Sequence, residues 1–328
     1  MNVPVAIAAT DTPTMVTGPG AARPLLRGAT ARPYRAGTVG GMSRLQEIAE
    51  GAAAGSTAAT YADIRRVTGV PFVVFIYRVL ARQPGRLEGV WADIGPNVGS
   101  AAGRAALAEV VLAADRGAAG LAAGVAPLPA AALAARDLDG AAVAATLEGF
   151  RRANSANVVA LWALLDGVAG EPAPTGPAPA AADMAPAGLP MADLSVLPAT
   201  TLALLEEMSR PVAGGALPIL IPSMWRTFAH DPELLELLWS ALRPALESAS
   251  FPPAVAALSA HGRELAQGLP FRVRRLDDEA ARVVVERFLR AIPSMLVTGA
   301  LLETVLAELS GSARGGGSTH SGGSTHSA

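Results

Sequence analysis

The side chains able to do chemistry in this chain are few in kind, and the missing kinds exclude a good deal. No cysteine occurs among the 328 residues, so there is no thiolate nucleophile, disulfide, Cys-ligated zinc site or iron–sulfur cluster. All 26 basic residues are arginine, which removes the lysine of a Schiff base and of a phosphate-binding loop. The motifs HExxH, GxSxG, Walker A and GxGxxG are absent. His320 and His326 belong to a terminal GGSTHS duplication and read as solvated. His230 stands beside Asp231-Pro232 at a helix start, and His261 lies in the polar run SAHGRE; both read as structural or solvated. A Ser–His–Asp triad cannot be assembled from these histidines. Taken alone, Asn154 and Asn157 read as caps or buried structural amides.

Such groups need elements to hold them, and those elements are helical. Ala, Leu, Arg and Glu dominate the chain. Leu234, Leu235, Leu237, Leu238 and Leu242 form an apolar face after the Asp231-Pro232 start. Val283, Val284, Phe288 and Leu289 do the same after Asp277, which has the place of an N-cap. The run Val70–Tyr77 (VPFVVFIY) is β-branched and aromatic, yet no second run could pair with it, so a buried helix after Pro71 is expected. Gly117–Ala135 carries no charged residue, but it is mostly Ala and Gly with Pro127 and Pro129, and reads as a small-residue helix or loop, not a membrane span.

The chain also repeats itself. Arg78–Trp91 (RVLARQPGRLEGVW) aligns with Arg226–Trp239 (RTFAHDPELLELLW), and Leu138–Ala153 (LDGAAVAATLEGFRRA) with Leu276–Ala291 (LDDEAARVVVERFLRA), giving 13 identities in 30 positions of which three are Ala. Two copies of one helical unit should pack about a pseudo-twofold axis with a cleft between them. The expected organisation is an extension over 1–44, repeat one over 45–166, a Pro/Ala-rich linker over 167–192, repeat two over 193–309 and a Gly/Ser/Thr/His tail over 310–328, with Met42 a conceivable start. Hydrophobic content of 51% and charged content of 16% suit a well-buried core. A net charge of −2 gives no basic field for nucleic acid or anionic lipid, and Met1–Thr10 has no basic region ahead of its apolar run. The expectation is a cytoplasmic protein that binds neither nucleic acid nor membrane, with pairing to a second copy left open.

Thr60–Trp91 (TYADIRRVTGVPFVVFIYRVLARQPGRLEGVW) resembles the N-terminal repeat of the group I 2-haloacid dehalogenases in its order of Tyr-x-Asp-Ile-Arg, Val-Pro-aromatic, Arg-Val-Leu-Ala and Pro-Gly. Asn154–Asn157 (NSAN) is similar to that family's Asn-x-x-Asn element, and the duplication from about Leu45 to Leu309 is a family feature. The resemblance implies an all-α enzyme of two fused repeats with a buried site between them. Such enzymes hydrolyse the carbon–halogen bond of short 2-haloalkanoic acids. An Asp activates water that attacks Cα directly, without cofactor or metal.

Carried across by position, the resemblance places Phe72 and Phe75 at aromatic pocket positions, and Asn154 and Asn157 on the Asn pair, with Asn157 touching substrate or water. The family's Ser-Asp pair aligns with Ser223-Met224, so its catalytic Asp is Met224 here, and a pocket Tyr aligns with Val285. A thioether takes no proton from water, and losing a general base costs about 10²–10⁴-fold in rate. Asp93 (WADIGPN) is the candidate replacement base. Two functions therefore stand side by side. One is a hydrolase of short halogenated acids with the base supplied elsewhere; the other is a homologue that binds a small apolar molecule in the cleft.

Overall fold

The computed structural model describes residues 46–128, 130–136, 138–174, 181–213 and 221–307. Met42, the 1–44 extension, and the tail with His320 and His326 lie outside the described residues.

The chain is all-α. Eleven α-helices occur among the described residues: α1 (Gly55–Thr68), α2 (Phe75–Leu80), α3 (Arg86–Val98), α4 (Ala101–Leu121), α5 (Ala130–Ala134), α6 (Gly140–Asp166), α7 (Ala199–Ser209), α8 (Ser223–Phe228), α9 (Pro232–Leu246), α10 (Phe251–Gln267) and α11 (Glu279–Val305). Extended pairing among the described residues is confined to two isolated bridges, Val168 with Val273 and Glu171 with Phe271. Local chemistry sets the helix starts. Ser100 caps α4 by accepting from the Gly103 N–H at 2.8 Å, and Asp139 caps α6 by accepting from Ala141 and Ala142. Asp231 accepts from the Leu234 N–H at 3.0 Å, with Pro232 at the first helical position, where its missing N–H costs nothing. For α11 the cap is Asp278, which accepts from Ala281 at 3.1 Å, and not Asp277 as its position in the sequence suggests. Val283, read as part of the apolar face, is 53% exposed, while Phe288 and Leu289 are buried.

The helix expected after Pro71 in the apolar run Val70–Tyr77 starts later than its composition suggests. Residues 70–74 are bends and coil, and α2 begins only at Phe75 after an extended Val74. The reason is local: Gly69 ends α1 in the left-handed conformation at φ 66°, and Pro71 disfavours helix in the residue before it. A side chain at Gly69 would also strike the Asp183 carbonyl, because the 181–192 segment runs back over α1 and donates Ala182 N–H to Arg66 and Ala185 N–H to Gly69. That Pro/Ala segment holds no helix, as expected, and is tied to the body along its described length.

Helices α1, α2, α3, α4 and α6 are followed in the same order, with similar lengths, by α7, α8, α9, α10 and α11. Matching contacts recur in the two sets. Trp91 of α3 donates its indole N–H to Asp63 of α1 at 2.8 Å, and Trp239 of α9 donates to Glu207 of α7 at 3.0 Å. Pro96 inside α3 has its counterpart in Pro244 inside α9. The long helices α6 and α11 pack along each other at the centre, α4 packs on α11, and α10 packs on α6. The short helices cross over in the same way, α2 onto α11 and α8 onto α6. Two short helices and two long ones thereby enclose a space in the middle. Of all described helices, α11 is long and apolar enough to cross a membrane by length and composition, and 67% of its most apolar window is buried inside the fold.

Candidate functional site

The enclosed space is a cavity of about 60 Å³ walled by α2 and its approach (Phe72 to Arg78), α6 (Phe150, Asn154, Asn157), Met191, the start of α8 (Ile221 to Met224) and α11 (Phe288, Ile292, Met295). A bound water needs roughly 10–15 Å³ by this measure, so the space suits a molecule of about four to six non-hydrogen atoms. Two aromatic pairs frame it. Phe72 packs on Phe150 with ring centroids 5.3 Å apart, and Phe75 meets Phe288 edge-on at 5.8 Å. Phe150 and Phe288 are the aligned phenylalanines of the duplicated blocks, so each long helix contributes the same residue to one of the pairs.

Six of the positions carried over in the sequence analysis, Phe72, Phe75, Asn154, Asn157, Ser223 and Met224, line this single cavity. Val285 does not. It is fully buried one turn before Phe288 on α11, and Phe288 is the α11 residue at that end of the space. Asp93 is also elsewhere: both its carboxylate oxygens accept from Arg274 Nε at 3.2 Å on an exposed face, so it is not a base for this cavity. His230 is exposed, and His261 is half-buried with Nδ1 3.7 Å from Glu264; neither borders the space.

Among the described residues the polar side chains on the wall are Arg78, Asn154, Asn157 and Ser223, with no carboxylate. Asn157, one of the wall residues, is 2% exposed, and its buried side-chain oxygen has no hydrogen-bond partner among the described residues. A buried acceptor left without a donor costs about 1–3 kcal/mol, so this atom calls for a donor from whatever fills the space. Arg78, absent from the sequence-based site, contributes a guanidinium 5.7 Å from the Phe75 ring centroid, with Nε 2.9 Å from Glu47. Met224 is 4% exposed and brings a thioether.

A smaller space of about 10 Å³ adjoins the first and shares Phe150, Asn154, Met224 and Met295 with it. Asp115, Arg151, Gly299 and Glu303 also line it, with the apolar Ala114, Leu147, Leu296 and Ala300. Arg151 bridges Asp115 and Glu303, and burial raises the Glu303 pKa above the usual carboxylate value despite that cation. Sequence reasoning missed Glu303, although Met295, Gly299 and Glu303 fall on one helical stripe. A third, more open groove of about 500 Å³ lies between Trp162, Phe251, Val255, Leu289 and Pro293. It shares no residue with the other two. Among the described residues no group of three or more His, Asp or Glu is placed to hold a metal ion.

Solved structures share this architecture. A D-2-haloacid dehalogenase mutant superposes with a TM-score of 0.68 at 16% identity, covering 80% of this chain and 95% of that one. The D-2-haloacid dehalogenase complexed with L-LA gives 0.62 at 16% identity, covering 82% and 96%. A mutant complexed with D-2-CPA gives 0.60 at 15% identity, covering 82% and 95%. The fold is that of a D-2-haloacid dehalogenase. No family model and no curated protein matches the sequence. In this dehalogenase fold the aromatic pairs, the two asparagines and the Ser223-Met224 helix start converge on the central space from separate elements.

Proposed function

We propose that this chain is a hydrolase of the 2-haloacid dehalogenase type, built from two divergent copies of one five-helix unit, that accepts a short 2-haloalkanoic acid in the cavity between them. The observation that carries the reading is the buried side-chain oxygen of Asn157, a wall residue, left without a partner on a largely apolar wall. It can accept from the attacking water and so fix its orientation, while the amide N–H of the same side chain can donate to a substrate carboxylate. The reciprocal helix contacts and the repeated Trp–carboxylate bonds support the duplication, and the likeness to solved dehalogenases supports the reaction class. Met224 stands where the resemblance puts the proton acceptor, so native turnover should be slow. The reaction as proposed needs no metal or cofactor, and the proposed location is cytoplasmic.

A second reading has its own observation. With a thioether and no carboxylate on the wall, the same cavity suits a small apolar molecule that is held and not hydrolysed. The deciding experiment is halide release from each enantiomer of 2-chloropropionate, run beside calorimetric binding of the same acids. Slow release that Asn157→Ala abolishes supports hydrolysis. Binding that Asn157→Ala weakens, with no release, supports the second reading. Absence of both overturns the cavity as a haloacid site.

A further inference from the structure

Resting on the hydrolase reading, we infer that the carboxylate missing at position 224 is supplied from α11 by Glu303, acting on a water held in the small adjoining cavity. The space there is about 10 Å³, and one water needs roughly 10–15 Å³ together with polar partners. Asn154, Arg151, Asp115 and Glu303 provide those partners, and Asn154 and Met224 belong to both walls.

Helix geometry directs Glu303 toward that space. It follows Gly299 by one turn, about 6 Å along the axis, and helical side chains lean toward the N-terminus, so Glu303 lies back over the Gly299 turn. Gly299 leaves the turn open: a Cβ there would stand 3.8 Å from Met224 Sδ. The sulfur that replaced the expected acid thus sits at the junction of the two spaces, with the α11 carboxylate beyond it. The charged groups around Glu303 are Arg151 and Glu148 of α6 and Asp115 of α4. Burial raises its pKa, which moves the carboxylate toward the range of an effective base at neutral pH.

The step balances without an added reactant. The water oxygen forms a bond to Cα as the carbon–halogen bond breaks, and halide leaves with the electron pair. Glu303 takes one water proton and later gives it to solvent, so the products are hydroxy acid, halide and a proton. Asn154 orients the water between the two spaces, and Asn157 holds the other partner in the larger one.

The test is Glu303→Gln, which keeps an oxygen for Arg151 and loses basicity, with Glu303→Asp as the conservative variant. Halide release from 2-chloropropionate should fall about 10²–10⁴-fold in the amide variant, with binding measured by calorimetry unchanged. Native activity should rise with pH as Glu303 ionises, and that limb should vanish with the amide. Glu303→Asp should recover part of the rate, and Met224→Asp added to Glu303→Gln should restore release from the other side. If native protein and Glu303→Gln release halide equally, the assignment of Glu303 is overturned while the hydrolase reading stands. If native protein binds the acids without releasing halide, Glu303 is no base and only the binding reading survives. If it does neither, both the assignment and the cavity reading fall.

Discussion

Placing an acid where the resemblance expects one, Met224→Asp, perturbs stability and chemistry in ways that can be worked out from the burial. Met224 is 4% exposed and walls both spaces. Truncating a buried Met costs about 2–5 kcal/mol, and because this one already borders free space we expect roughly 3 kcal/mol. The new carboxyl enters a desolvated wall whose cations are already paired, Arg78 with Glu47 and Arg151 with Asp115 and Glu303, so its pKa rises above the ordinary Asp value of about 3.9. A raised folded-state pKa means the unfolded chain ionises first. The variant's stability therefore falls with pH from about 4 up to the raised value, by roughly 1.4 kcal/mol per unit, and then levels off. At about 2–4 °C per kcal/mol, the melting temperature should sit roughly 6–12 °C below native at acidic pH, with the gap widening toward neutral. Halide release should rise over native and then be largely lost with Asn157→Ala. Thermal denaturation from pH 4 to 8 and a halide assay read both effects. A variant as stable as native at every pH, with unchanged release, would show that residue 224 is not in the dry wall and would refute the reasoning.

Three further outcomes follow from the packing. Trp91→Phe and Trp239→Phe should each cost about 1 kcal/mol in chemical denaturation, because each removes one indole hydrogen bond to a carboxylate on the corresponding helix; sharply unequal costs would speak against equivalent roles in the two helix sets. Gly262→Ala and Gly299→Ala should shift stability in opposite directions. A Cβ at Gly262 falls 2.2 Å from Val158 Cγ1, whose β-branched side chain cannot swing aside, so overpacking of about 1–3 kcal/mol outweighs a helix-propensity gain of about 1. At Gly299 the nearest atom is 3.8 Å away and the propensity gain should win. Asp278→Ala should cost about 0.5–2 kcal/mol at neutral pH through loss of the α11 cap. The Ala281 N–H and then Arg86 lower the Asp278 pKa, so its contribution is present above about pH 4, and the gap between native and variant should close as pH falls through the lowered value.

What was legible in the sequence is what depends on local spacing or on self-comparison. Leu234 to Leu242 follow Asp231-Pro232 at helical intervals, and α9 starts there; Leu237 is only half-buried, while the other leucines of that face are in the core. The aligned Phe150 and Phe288 already marked two equivalent positions on long helices, a signal that could have placed Phe288 on the wall in place of Val285. The Val70–Tyr77 run misleads because composition favours one continuous element, whereas the left-handed Gly69 and the proline after Val70 set a local break. Asp93 looked eligible because it follows the aromatic block, but a helix turns its faces every few residues, and this one turns Asp93 toward Arg274.

The Glu303 assignment shows why the remainder was not legible. A carboxylate 79 positions after Met224 in sequence becomes its neighbour only through two packing events: the seating of α8 against the long helices, and the absence of a side chain at Gly299. Neither has a periodicity or a motif. Alignment of site residues asks what stands at the old position, and at 224 the answer is a thioether that takes no proton. The chemistry asks which proton acceptor can reach a water beside the substrate carbon, and that answer depends on the wall as a whole. On this wall the acidic groups within reach, Glu303 and Asp115, both flank Arg151, and Glu303 is the one on the stripe that leads back to Met224. A site can lose a base from one helix and keep the reaction if a second helix presents another to the same water, and that is the claim the Glu303→Gln and Met224→Asp pair puts to measurement.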